Sequence, residues 1–278
     1  MDAKLAKRRR IRNPVGAGMF YPEDRKEMLE YIQSLGIEEG RGGYAKAIIA
    51  PHGAWAYSGE LAASAFYAAM GRSENIKRVV ILGPIHDKRE KGLFLSNSHY
   101  FSTPLGNIPV DQDATEELLF ISNHFEINDI PHLGEHSIEI LLPFVKYCFP
   151  HASIVPILMG QPGAGYIYDL SQALKTVFSH SLDETLIIVS SNLSSDNDKG
   201  KARQLARQCL QLFIKKDAVS LASAILDGRL NACGGALVVS LFDSGLLDKT
   251  QSCLSSENMI SAVGAENNTV YYSEVSYE

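Results

Sequence analysis

Unbroken apolar runs alternate with amphipathic stripes along this chain. The runs are Ala47-Ile48-Ile49-Ala50, Val79-Val80-Ile81-Leu82, Ala152 to Gly160 and Thr185 to Val189. Runs of this length with no polar alternation predict strands buried on both faces, at about 45–50, 77–82, 152–160 and 185–189. Between them, Pro22-Glu23-Asp24 opens a helix carrying Met28, Leu29, Ile32 and Leu35 inward, stopped by Gly36. Ser58 caps a second helix, rich in small residues, that runs through Met70 to Gly71. Helices are also expected at about 112–122, 165–179, 199–215 and 217–226, and from Cys233-Gly234-Gly235-Ala236 to about 244. Glu135-His136 opens a segment with Ile138, Leu141, Leu142, Val145 and Cys148 on one stripe, kinked or split by Pro143. Residues 92–110 read as a β-hairpin, and Thr269 to Val275 alternates as a last strand. Strand–helix alternation predicts a single α/β domain over residues 13–278. Its central sheet should be mainly parallel, covered by helices on both faces.

Composition narrows the classes little further. An apolar fraction of 45% with 21% charged residues fits a globular domain with an ample core. The net charge of −6 argues against a nucleic-acid partner. Lys4, Lys7, Arg8, Arg9, Arg10 and Arg12 form a basic cluster in residues 1–12, expected to be a flexible, solvated tail. No apolar run reaches the roughly 20 residues that a membrane helix needs. Cys148, Cys209, Cys233 and Cys253 form no C-x-x-C pair, so a disulfide framework is not expected and a reducing cytoplasm is the simplest home. The oligomeric state is left open.

The chemistry gathers at strand ends. His52 follows the first apolar run through Pro51, and His86 follows the second through Pro84. The polar loop Ser190 to Asp198 follows the fourth. In a parallel sheet these loops share one edge, where ligands bind. Cys233 sits at a helix start, where the positive helix end favours a thiolate. Two imidazoles and a thiolate suit a single transition metal, iron, copper or zinc, and leave a coordination position open. Each residue also has a plainer reading. A histidine after a strand is ordinarily a hydrogen-bonded loop residue, and a cysteine beside two glycines can simply pack tightly. Glu135 and His136 fit either a capping pair or a pocket. His99, His124, His132, His151 and His180 share no repeated context and read as surface or loop residues, while Cys148 and Cys209 fall on apolar stripes as structural thiols.

These pieces resemble a known family, the Memo-like proteins, whose prokaryotic members are called AmmeMemoRadiSam system protein B. That family is related in fold to class III (LigB-type) extradiol dioxygenases. The resemblance rests on Asn13 to Pro22, Ala50-Pro51-His52 with Tyr57-Ser58-Gly59, and Leu82-Gly83-Pro84-Ile85-His86. It continues in Pro104-Leu105-Gly106, Glu135 to Ile140 with Leu142-Pro143-Phe144, Ser190-Ser191 and Cys233-Gly234. It implies a metal site on His52, His86 and Cys233 in a crevice lined by Trp55, Tyr57, Glu135, His136, Asn192 and Ser195. The implied function is redox or oxygenase-like chemistry on a small molecule. The alternative is a non-enzymatic adaptor holding a peptide or small ligand in the same crevice. Asn192 and Ser195 stand where the family usually has aspartate and histidine. Neither side chain titrates near pH 7, which weakens the enzyme reading.

Overall fold

Alternation hidden inside the apolar runs sets the architecture. The computed structural model describes residues 9–37, 41–253, 260–263 and 268–278. Its main sheet is built from β1 (Ala47–Ala50), β2 (Arg78–Pro84), β3 (Leu93–Leu95), β4 (Phe125–Ile127), β5 (Ser153–Met159), β6 (Thr185–Ser190), β7 (Ser252–Cys253) and β8 (Val275–Tyr277). The spatial order is β7-β8-β1-β6-β2-β5-β3-β4. The four central strands, β1, β6, β2 and β5, are mutually parallel, whereas β8 and β3 pair antiparallel to β1 and β5. Side chains of alternate residues point to opposite faces of each strand. Ala47, Ile49, Val80, Leu82, Ile187 and Val189 therefore enter one core, and Ile48, Ala50, Val79, Ile81, Leu186 and Ile188 the other.

Helices cover both faces. The first core packs against α3 (Gln112–Leu119), α6 (Ala164–Phe178), α7 (Lys199–Lys215), α8 (Ala218–Leu226) and α9 (Gly235–Asp243). The second packs against α1 (Arg25–Ser34), α2 (Trp55–Tyr67) and α5 (Leu142–Cys148). The remaining helix, α4 (Asp129–Gly134), stands before the segment that ends in α5. The expected α/β architecture with a mostly parallel, doubly covered sheet is present. None of the helices among the described residues is long and apolar enough to cross a membrane.

Several local expectations change. The second helix begins at Trp55, a turn before Ser58, and Ala54 caps it without a side-chain bond. Ser58 instead donates from within the helix to the Gly53 carbonyl at 2.9 Å. Only Tyr100–Thr103 and Gly106–Pro109 form a hairpin, while Leu93–Leu95 joins the main sheet. The last alternating run divides: Thr269–Tyr272 pairs with Ser194–Asp196, and the chain then crosses to β8. Helix α4, with Pro131 inside its first turn, was not legible as a helix. Glu135 closes it rather than opening α5, which instead follows a 3₁₀ turn at Glu139–Leu141 and takes Pro143 into its first turn.

The basic cluster is also not wholly a solvated tail. Ile11–Arg12 runs parallel to Tyr100–Phe101, and Arg10 donates to the Asn97 side chain at 2.7 Å. Arg12 is buried against Glu139, and its guanidinium also reaches the carbonyls of His132 and Glu135. Lys4, Lys7 and Arg8 lie outside the described residues.

Candidate metal centre

The loops after β1, β2 and β6 leave the sheet at one edge, because these three strands are parallel neighbours. His52 is buried there, and its Nδ1 lies 2.6 Å from Ser190 Oγ. That hydroxyl donates its single proton to the Ser137 carbonyl at 2.7 Å. Ser190 must therefore accept from His52, which fixes the proton on Nδ1. Its Nε2 faces Cys233 Sγ at 3.3 Å. His86 is oriented the same way: its Nδ1 lies 3.0 Å from Glu135 Oε1, so Nε2 is left for the centre. Glu135 also accepts from the backbone N–H groups of His86, His136 and Ser137, each at 2.8 Å.

Cys233 reaches this edge because glycine follows it. A Cβ at Gly234 would sit 2.4 Å from the Ser190 carbonyl oxygen and 2.6 Å from Ser191 Cβ. No other residue allows the α9 N-terminus so close to β6. The sulfur accepts from the Asn192 N–H at 3.1 Å, and Asn192 Oδ1 accepts from the His52 N–H at 3.1 Å. The loop thus ties the thiol to the first histidine through its backbone.

The charges balance around the thiol. Burial pushes Cys233 upward, but the imidazoles of His52 and His86 draw it well below its ordinary value. Burial would lower His86, yet its hydrogen bonds to Cys233 and Glu135 raise it to about 10. Burial opposes ionisation of Glu135, and the His86 hydrogen bond and charge hold it down to about 2. His136, stacked on His86 at 5.0 Å, falls to about 4 through burial and the neighbouring histidine charges, against the pull of Glu135. A thiolate, a cationic His86 and a neutral His136 therefore share the crevice near neutrality. A metal cation must displace the His86 proton to bind.

The donor set fits a metal. One ligand atom each from His52, His86 and Cys233 lies within 4.8 Å of the others. Tetrahedral coordination with bonds of about 2.0–2.3 Å needs donor separations of roughly 3.4–3.6 Å. The His52–Cys233 spacing is already within a few tenths of that, and the widest needs about 1 Å of side-chain closure. Each histidine also has its outer nitrogen anchored, which metal sites use to orient the ring. His86, Glu135 and His136 form a second such group. It fits less well, since the His86 and His136 rings are stacked, 16° from parallel, and Glu135 already serves four N–H groups.

The other expected residues divide. Glu135 and His136 belong to the crevice, with the Glu135 carboxylate acting on His86 while its backbone closes α4, not as a cap at a helix start. Asn192 contributes mainly through its backbone N–H and its hold on His52. Ser195 is engaged elsewhere: its hydroxyl accepts from Asn268 at 2.6 Å, and its carbonyl accepts from Asn231. Trp55, expected to bind ligand, faces inward. Its ring is buried against Phe144 and Tyr31, and its indole N–H donates to the Ile140 carbonyl. Tyr57 stays half-exposed near Tyr272. Ser190, Tyr272 and Phe20 were missed. Tyr272 crowds Gly53, where a Cβ would meet its ring at 2.8 Å, and its hydroxyl is raised by burial and by the Cys233 charge. Phe20 stacks on His136 at 4.7 Å. His132, expected at the surface, is buried with Nε2 3.1 Å from the Phe94 carbonyl.

Comparison with known proteins gives the family. The family described as "Memo-like protein" matches residues 12–272. A "MEMO1 family protein" of Thermotoga neapolitana is 31% identical, covering 84% of this chain and 88% of its own. One from Methanobrevibacter smithii is 29% identical, over 87% and 90%. A solved structure of an uncharacterized Escherichia coli K12 protein overlays with a TM-score of 0.42 at 12% identity, over 72% of this chain and 86% of its own. With the profile spanning nearly its whole length, the chain belongs to the Memo-like family.

Proposed function

We propose that this protein holds one transition metal on His52, His86 and Cys233 and uses it for redox or oxygenase-like chemistry on a small molecule. One observation carries the reading: Ser190 and Glu135 fix the outer nitrogens of two histidines whose inner nitrogens converge on a thiolate. A thiolate in the set favours a soft or borderline metal such as copper, zinc or iron(II) over magnesium or calcium. Bound there, the metal supplies a Lewis-acid or electron-transfer centre. The chain supplies the rest. Tyr272 and Phe20 wall the crevice, and His136 offers an unprotonated imidazole where Ser195 has only a hydroxyl. A reducing cytoplasm is the compartment in which Cys233 remains available as a thiolate.

The test is metal analysis of protein purified without chelator, followed by reloading with iron(II), copper or zinc. About one metal per chain is expected in wild type, with loss in both His52→Ala and Cys233→Ser. Metal-free protein whose stability is the same in both variants overturns the proposal. It would favour a binding module for a peptide or small ligand, a reading supported by the non-titrating Asn192 and Ser195 in the loop.

A further inference from the structure

The groove between α7 and α8 is built from a different chemistry. Its volume is about 530 Å³, within the range of small-molecule pockets. Gln208, Gln211 and Lys215 line one wall from successive turns of α7, and Ser220 and Ala224 line the other from α8. Leu212, Ala224 and Leu230 make an apolar floor, and Arg229 closes one end. The charged lining side chains are both cations. Arg229 Nε is held by Asp227 at 2.8 Å and Nη2 by Ser223 at 2.9 Å, and Nη1 has no hydrogen bond among the described residues. Lys215 enters no ion pair among the described residues; Asp217 lies close enough to feel its charge, and that carboxylate caps the Ser220 N–H.

The surroundings reinforce that sign. Helix α7 carries Lys199, Lys201, Arg203, Arg207 and Lys215 and no acidic residue, in a chain of net charge −6. Of these, Lys201 is paired, to Asp196. Arg203 and Arg207 are exposed and in no ion pair among the described residues. Asp217 and Asp227 offset part of the charge beside Lys215 and Arg229, and the cationic excess along α7 draws ligands of opposite charge toward a pocket with an apolar lining.

We propose that this groove binds a small organic anion, its charged head between Lys215 and Arg229 and its apolar body on Leu212, Ala224 and Leu230. The proposal is independent of the metal centre, since none of these residues belongs to it. The probe is 1-anilinonaphthalene-8-sulfonate, titrated by fluorescence, with N-phenyl-1-naphthylamine as its uncharged counterpart. Saturable binding at one site per chain is expected, weakened about tenfold or more by K215A/R229A and kept within about threefold by Arg229→Lys. Metal content should not change in any of these surface variants, and circular dichroism confirms that each folds. No saturable binding to wild type, equal binding to K215A/R229A, or equal affinity for the uncharged counterpart overturns the proposal.

Discussion

Glu135→Gln perturbs the centre without touching a donor atom. The carboxylate accepts from three backbone N–H groups and from His86 Nδ1. Glutamine keeps one acceptor oxygen. Placed where Oε1 stands, it preserves the bonds to His136 and Ser137, and the amide NH₂ then confronts the His86 backbone N–H. One charge-assisted bond is lost, worth about 1.5–3 kcal/mol. In a domain of this size that lowers the melting temperature by roughly 4–8 °C. His86 also loses the charge that helps raise it to about 10. A histidine raised in the fold stabilises fully below its unfolded pKa of about 6.5 and loses that contribution as pH rises through the folded value. The metal-free variant should therefore shed this stability at lower pH than wild type. Exchanging the carboxylate that anchors His86 Nδ1 for a neutral amide oxygen should weaken metal binding about 10-fold or more. Chelator competition measures the affinity, and urea unfolding at pH 7 and pH 9 measures the stability. Wild-type metal affinity in a variant that folds would refute the idea that Glu135 orients His86 for a metal.

Three further perturbations follow from the same coordinates. Arg12→Ala leaves Glu139 buried without its cation and should cost about 3–5 kcal/mol in urea unfolding; a loss under about 1 kcal/mol would show that the pair is not buried in solution. Gly234→Ala should lower both stability and metal content, because its Cβ meets backbone at 2.4 Å, and an unchanged metal-to-protein ratio would count against the close packing of α9 on β6. His132 is lowered to about 4, chiefly by burial against its Phe94 hydrogen bond, so the unfolded chain takes up this proton before the folded one does. Stability is complete above about pH 6.5 and should fall by about 3 kcal/mol as pH drops toward 4. His132→Asn should flatten part of that slope, and an identical slope in the variant would rule out His132 as its source.

The strands that build the site edge were legible because burial on both faces demands a continuous apolar run. His52 and His86 were legible because each ends such a run, and Cys233 because Gly234-Gly235 follow it at a helix start. What fixes their orientation was not. Ser190 hides among polar loop residues. Its role depends on Ser137, which is 53 positions away and accepts its proton. Tyr272 reads as a strand residue, and only the crossing from the small sheet to β8 brings it against Gly53. The orientation of Trp55 was equally hidden: α2 begins at Trp55 itself and turns its ring inward, with the indole N–H on the Ile140 carbonyl.

Arg12 and Glu139 show the same limit more sharply. Each looks like an ordinary charge at the surface or the start of a helix. Across 127 positions they form a buried pair, and Glu139 also accepts from Tyr21 and the Gly16 N–H. Residues 13–21 are thereby clamped against the segment 135–141, which places Phe20 on His136. One carboxylate of that segment orients His86, and the other orients the wall beside it. The family resemblance took in both glutamates within one motif, Glu135 to Ile140, but their separate tasks follow from which distant cation each one meets: His86 for the first, Arg12 for the second. Exchanging the two environments, not the two residues, is what would abolish the centre.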